Sequence, residues 1–397
     1  MPPNEPSSRL MPKPFTKRLD AYVQLLPEHR KRPEVSLRQH VALRMTALAN
    51  RVLQRQRVYL DTRFWILLRD AAMGRPRQPV HVELLTRLRE RVQSGAIICP
   101  VSDGTLLEVL RQADPETRLA TARVMDELSL GAAILNAEER LVTEVAHFVA
   151  TATKPGAVMA PPSGSVWLKA AYTLGMLHPA AEGVDAAEQL ALAKAFVDLM
   201  WSLSLEELLT DTPMPPEAIH EAFRETAVEL TTASRAHASE IRNWNSLYVD
   251  EVQGFVEAHS DAIQRACLQV YEAQHPGKPR PSNDEMLRST RLLVNSCANL
   301  IRLGKAGNAL PRVQIEAGIH AVIRWHRARP FSAQDFVDIS HATAALPYCQ
   351  LFLTERFLGT ALGRPPLNLA QQFGVGLAWE AGAALTAIER LPGPSQP

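Results

Sequence analysis

Several of the usual classifying signals are missing from this chain. Its four cysteines, Cys99, Cys267, Cys297 and Cys349, lie far apart and form no Cys-x-x-Cys pair. That argues against a structural zinc site and fits reduced thiols, with Cys99 and Cys349 expected in the core. No uncharged apolar run approaches the about 20 residues needed to cross a bilayer. The Pro-rich stretch Met1–Pro14 has no apolar segment behind its charges and does not read as a secretory signal. A cytoplasmic protein is the expectation. Net charge is only +1, so no global field draws the chain to nucleic acid or membrane, and a polyanion site must be a local basic patch. Neither a G-x-x-x-x-G-K-[ST] phosphate loop nor a G-x-G-x-x-G turn is present, which argues against a nucleotide-binding regulator.

What is present is ordinary for a globular protein: 46% apolar and 21% charged residues over 397 positions, enough chain for more than one domain. Residues 1–50 read as an N-terminal helical extension, with a helix near Val35–Gln54. Val58-Tyr59-Leu60 reads as a buried strand ending at Asp61, followed by helix from Phe64 to Ala72. A helix over Val82–Val92, a strand over Ala96–Val101, helices over Thr105–Gln112 and Pro115–Leu128, and a short strand over Ala132–Leu135 follow. This alternation over 51–150 predicts a parallel sheet with crossover helices.

The alternation stops at Pro155, Pro161 and Pro162, and residues 151–310 read as an all-helical insertion. Helical spacing is clear over Ala186–Leu209 and Met286–Leu303, and Pro216–Glu272 has room for two helices. Trp167, Trp201, Trp244 and Tyr248 fall at spacings that suit a core. The α/β pattern returns over 311–397, with helices over Val313–His326 and Ser332–Leu346, a strand at Leu351-Phe352-Leu353, and a C-terminal helix. The expected fold class is therefore α/β, a Rossmann-like parallel sheet with flanking helices, interrupted by a large helical insertion; such insertions are easy because domain termini usually lie close together.

Open parallel sheets bind ligands beyond the carboxyl ends of their strands. Asp61 ends the first strand and Glu355 follows the last. Glu108 lies in the helix after the second strand, and Asp338 in the helix before the last. Acids gathered on one edge repel one another and raise their own pKa values, a conflict that a hard divalent cation removes.

The order of these residues resembles the PIN-domain nucleases. The segments that carry the resemblance are Tyr59-Leu60-Asp61-Thr62, Thr105-Leu106-Leu107-Glu108-Val109, the run from Asp338 to Leu346, and Leu351-Phe352-Leu353-Thr354-Glu355. They lie in 56–150 and 311–360, under half of the chain. Arg63 stands where the family commonly has Asn, and the last acid is Glu355 rather than the more usual Asp, with Arg356 one residue further on. The resemblance implies a PIN-like fold and a cytoplasmic endoribonuclease using Mg²⁺ or Mn²⁺. Asp61, Glu108, Asp338 and Glu355 would be catalytic metal ligands, and Thr354, Arg63, His341 and Arg356 would lie around them or touch RNA. The helical region would be a lid, a substrate platform or a surface for a protein partner; an oligomer is compatible with this.

Plainer readings stand beside these. Asp61 can be a strand-end turn residue. Thr105-x-x-Glu108 is a capping-box pattern that would fix Glu108 to a helix N-terminus, and Ser332-x-x-Asp335 is another. His341 shares the helical face of Asp338 and suits a satisfied helix histidine, whereas His320 and His326 are poorly spaced for one face and read as structural. Arg63, Arg69 and Arg356 can contact phosphate or pair with acids. The rival function is a catalytically inactive PIN-like scaffold that binds RNA or a protein partner through its helices.

Overall fold

A computed structural model describes residues 18–153, 161–210, 217–327 and 329–394. Met1–Pro14, Pro155, Pro216 and the side chain of Cys297 lie outside the described residues. In chain order the helices that matter below are α1 (Leu19–Arg30), α2 (Leu37–Leu53), α3 (Thr62–Ala72), α4 (Pro79–Gln93), α5 (Asp103–Leu110), α6 (Pro115–Ser129), α7 (Ala137–Thr153), α8 (Ala186–Ser202), α9 (Leu205–Thr210), α10 (Glu217–Ala236), α11 (Trp244–Ala258), α12 (Ser260–Gln274), α13 (Asn283–Arg302), α14 (Pro311–Trp325), α15 (Ala333–Ala345), α16 (Arg356–Gly363), α17 (Leu369–Phe373) and α18 (Ala381–Arg390). The strands are β1 (Gln56–Leu60), β2 (Ile97–Ile98), β3 (Ala132–Ile134), β4 (Trp167–Lys169), β5 (Leu351–Leu353) and β6 (Gly376–Ala378).

The molecule is mixed α/β, built around a four-stranded sheet in the order β2-β1-β5-β6, with each neighbouring pair parallel. β1 is central because its side chains tolerate no water on either face: Val58, Tyr59 and Leu60 are fully buried, as are Phe352 and Leu353 of β5. Continuous apolar runs of this kind are what a sheet covered on both faces requires. β3 joins β2's side through a parallel bridge between Val101 and Ala133 and pairs antiparallel with β4.

β1 has β2 on one flank and β5 on the other, so the chain leaves it in one direction and later returns on the opposite side. That reversal creates a crevice outside the carboxyl ends of the strands. Leu60 is in register with Leu353, and the Asp61 amide donates to the Leu353 carbonyl at 3.0 Å. Asp61 and Thr354 therefore stand side by side at the strand ends.

Residues 151–310 differ from the sequence expectation in three respects. They contain a strand, β4, which is too short to give a periodic signal. The stretch from 217 to 274 forms three helices, α10, α11 and α12, because Asn243 caps α11, accepting from the Ser246 amide at 2.9 Å, and α12 restarts at Ser260. The region also divides between two cores. Trp167, Tyr172, Val197, Trp201, Leu205 and Ala227 join the core around the sheet, whereas Val252, Phe255, Ile263, Ala266 and Val270 pack with Leu141 and Val145 of α7 and with Val313 of α14. Trp244 and Tyr248 stack on each other with ring centroids 6.2 Å apart. Cys99 and Cys349 are buried.

Gly104 sets how closely α5 approaches α15. A Cβ added there would lie 2.7 Å from Ser340 Oγ and 3.1 Å from Ser340 Cβ, so any larger residue makes Ser340 turn away or the helices part. Gly104→Val is expected to force the helices apart and cost about 1–3 kcal/mol, read as a lower urea midpoint at unchanged slope. An unaltered midpoint would show that the contact yields freely.

Candidate functional site

Asp61 is the N-cap of α3. Its Oδ1 accepts from the Phe64 amide at 3.1 Å, so the plain role of a strand-end capping residue is filled by one oxygen. The other oxygen, Oδ2, is buried and has no hydrogen-bond partner. Asp61 is 4% exposed, and burial pushes its pKa up to about 7. Glu355 adds to the rise, while His341, the Phe64 amide and Thr354 oppose it. The Thr354 hydroxyl is itself buried without a hydrogen-bond partner, so it acts on Asp61 from outside hydrogen-bonding geometry.

Glu108 is not fixed by a capping box. Ser102, not Thr105, is the N-cap of α5, with Ser102 Oγ accepting from the Thr105 amide at 3.4 Å. The helix therefore starts earlier than the pattern suggests and leaves Glu108 in its interior, facing α15. There Glu108 Oε2 meets His341 Nε2 at 3.0 Å and accepts from the Thr62 hydroxyl. Burial alone would raise the Glu108 pKa, but His341 and Thr62 outweigh it, and the net shift is downward.

His341 is the hub of this arrangement. It is buried, with Nδ1 2.8 Å from the Tyr59 hydroxyl, and that hydroxyl lies 2.5 Å from Ser102 Oγ. Burial pulls the imidazole pKa down, yet Tyr59, Glu108 and Asp61 more than reverse this and hold it well above its ordinary value. An imidazolium donating from Nε2 to Glu108 and from Nδ1 to Tyr59 satisfies both ring nitrogens.

Asp338 is half-buried, and Gln334 Nε2 donates to it at 3.3 Å. Burial, with Glu355 and Asp335 adding, raises its pKa to about 6 against the opposing effects of Gln334 and His341. Asp335 takes the structural role expected of it: its Oδ2 accepts from the Ser332 amide at 2.7 Å and the Ser332 hydroxyl at 2.9 Å. Glu355 is exposed at the start of α16, and it acts electrostatically on both Asp61 and Asp338. The edge thus gathers Asp61, Glu108, Asp338 and Glu355 around His341. It does not gather them tightly. Among the described residues, the His/Cys/Asp/Glu group whose ligand atoms all lie within 4.8 Å of one another is His29, His40 and Asp198, and the edge carboxylates are spaced more widely.

A groove of about 650 Å³ opens here, lined among others by Thr62, Arg63, Arg77, His81, Glu108, Gln334, Glu355 and Glu380. Arg63 Nη1 donates to the Trp379 carbonyl at 3.1 Å, and Arg356 pairs with Glu380 at 3.0 Å on the surface. Arg69 points elsewhere, to Asp70 and Gln112. His220 of α10 feels both Arg111 and Glu108, so the helical region borders the site. Sequence reasoning missed Glu380, Arg77, His81 and Gln334. Gln334 lies one turn before Asp338 and was legible from that spacing; Glu380 follows a strand too short to recognise.

The raised Asp61 pKa has a definite consequence for stability. Unfolded, the group ionises near its ordinary 3.8; folded, it stays protonated up to about 7. Stability that is full below pH 4 is therefore lost as pH rises toward 7. Asp61→Asn is expected to melt several degrees above the wild type at pH 8 in chelator-treated buffer, with the gap closing near pH 4. A gap that does not change with pH would remove the buried-charge account.

No protein-family model matches this chain, and no curated protein or solved structure is significantly similar to it.

Proposed function

We propose that this chain is a metal-dependent, PIN-like nuclease that hydrolyses phosphodiester bonds, with RNA as its substrate, at the carboxyl edge of the sheet. One observation carries the reading: a buried, unpartnered carboxylate oxygen on Asp61, with a second acid, Asp338, also held above the ordinary carboxylate range and sharing with it the influence of Glu355 and His341. Two such groups at one strand edge want either protons or a cation. The donor set is all oxygen, which fits a hard divalent ion. Asp61, Asp338 and Glu355, with Glu108, would hold Mg²⁺ or Mn²⁺. When bound, such an ion lowers the pKa of a water and neutralises charge on the scissile phosphate.

The chain's own residues divide the remaining work. His341 keeps Glu108 ionised and fixes its direction, with Tyr59 locking the ring from behind. Arg63 and Arg77 line the groove and offer guanidinium groups to phosphate oxygens. Thr354 places a free hydroxyl beside Asp61, where it can orient the carboxylate or a water. His81 is buried with Nδ1 unpartnered, and burial, with the charges of Arg77 and Arg63 adding to it, lowers its pKa and favours the neutral ring.

A scaffold that binds RNA or a protein through its helices has an observation of its own. Glu108 is already engaged by His341 and Thr62, and the carboxylates are spaced more widely than a closed ligand shell. Such a protein would gain little from an added ion.

Mn²⁺ or Mg²⁺ is expected to raise the melting temperature of the wild type, through binding to the native state, and to support cleavage of a single-stranded RNA. Asp338→Asn is expected to lower cleavage about 100-fold or more, beyond the loss typical of an outer-shell partner, while its circular dichroism stays native. Undiminished cleavage by purified Asp338→Asn would remove that residue from the reaction. Melting that ignores both metals, together with intact RNA, would favour the scaffold.

A further inference from the structure

We propose that His29, His40 and Asp198 form a second site, structural rather than catalytic, for a borderline divalent transition metal such as Zn²⁺. The three residues come from α1, α2 and α8. His29 Nε2 lies 3.1 Å from Asp198 Oδ2, and His40 Nε2 lies 2.7 Å from Asp198 Oδ1. The two rings meet edge to face with centroids 5.0 Å apart. One ligand atom from each residue lies within 4.8 Å of the others, so small side-chain shifts bring all of them onto one ion. The side chains are largely shielded, 9% exposed for His29, 14% for His40 and 8% for Asp198.

Two imidazole nitrogens and one carboxylate oxygen suit zinc, cobalt or nickel rather than magnesium or calcium, which prefer oxygen throughout. The ionisation states favour binding as well. Burial, the largest effect, lowers the His29 pKa, with His40 and Lys194 pulling the same way against Asp198, which eases loss of the proton that Nε2, 3.1 Å from Asp198 Oδ2, must give up to ligate. Asp198 is held down to about 2 by His40 and Arg44 despite its burial.

Arg44 is the informative neighbour. Its Nε donates to Asp198 Oδ1 at 2.9 Å and its Nη2 lies 2.8 Å from Oδ2, while its side chain is 44% exposed. The guanidinium is a resident counter-cation with an open path to solvent. A metal ion would take its place beside Asp198 and release it outward. Lys194 does not compete, because its ammonium is spent on the carbonyls of Arg32 and Val35, at 2.6 and 3.1 Å. An ion here would clip the N-terminal helical hairpin to α8 across a long stretch of chain, where closing a loop stabilises most.

The test is calorimetric titration of Zn²⁺ into the metal-stripped full-length chain, with melting curves alongside, for the wild type and for Asp61→Asn, His40→Ala and Arg44→Gln. Expected is a zinc site that survives Asp61→Asn, weakens about tenfold or more in His40→Ala, as loss of a ligand or its support does, and tightens several-fold in Arg44→Gln. Tightening is the decisive sign, since a plain hydrogen-bonded clamp gives Arg44→Gln no reason to improve zinc binding. If His40→Ala fails to fold, Arg44→Gln decides alone: unchanged or weaker binding overturns the proposal. It is equally overturned by a wild type that binds no zinc, or by zinc binding that disappears in Asp61→Asn and persists in His40→Ala.

Discussion

Placing an acid at the end of the strand in the middle of the sheet is the constraint around which this structure is arranged. β1 has neighbours on both sides, so whatever follows Leu60 is walled in by β5, α5 and α15. A carboxylate there loses its water and must find compensation. Asp61 finds only part of it: one oxygen caps α3, the other is unpartnered, and the group answers by holding its proton up to about pH 7. The charged histidine opposite supplies some relief to Asp61, but its close partners are Glu108 and Tyr59. Apart from Arg63 and Arg77 on the groove wall, one imidazolium against Asp61, Glu108, Asp338 and Glu355 leaves the edge short of positive charge.

That shortage links the sheet to the helices that cover it. Gly104 lets α5 and α15 approach until Glu108 reaches His341, and the stacked pair Phe223–Phe336, with centroids 5.3 Å apart, presses α10 onto the helix that carries Asp338. The region over 151–310 is thus no remote appendage. Part of it shares the core of the sheet and brings His220 to the rim of the groove, while α11 and α12 build a second core against α7 and α14.

Much of this edge was legible in the sequence because strand ends and helix periodicity place residues without side-chain detail. Val58-Tyr59-Leu60 reads as a buried strand, which puts Asp61 at its end; the run from Ser332 to Leu346 reads as a helix, with Asp335 on its cap and Asp338 one turn inward. What sequence could not settle was local competition between equally good signals. Ser102 and Thr105 both qualify to cap α5, and the choice of Ser102 moves Glu108 from a cap to the interior. β4 and β6 are too short to show alternation and owe their extension to the neighbours that pair with them. Tyr59 read as core and is core, but its hydroxyl also orients His341, a role visible only once β1 and α15 are packed together.

The near-neutral net charge of the chain bears on how a polyanion could be handled here. A strongly basic protein draws nucleic acid to its whole surface; this one has no such field, so affinity must come from the groove itself. Arg63 and Arg77 stand on a wall that also presents Glu108, Glu355 and Glu380, and acids of this number would repel a phosphate at the point where the arginines attract it. The two demands are compatible only if positive charge enters between the carboxylates and the phosphate. Protonation of Asp338 and Asp61, whose pKa values lie at about 6 and about 7, removes part of the negative charge of this edge at low pH, but at higher pH both groups ionise and the conflict sharpens. A divalent cation relieves it where those groups are ionised and able to bind one, and that is the physical reason to prefer the metal-dependent reading over a bare scaffold.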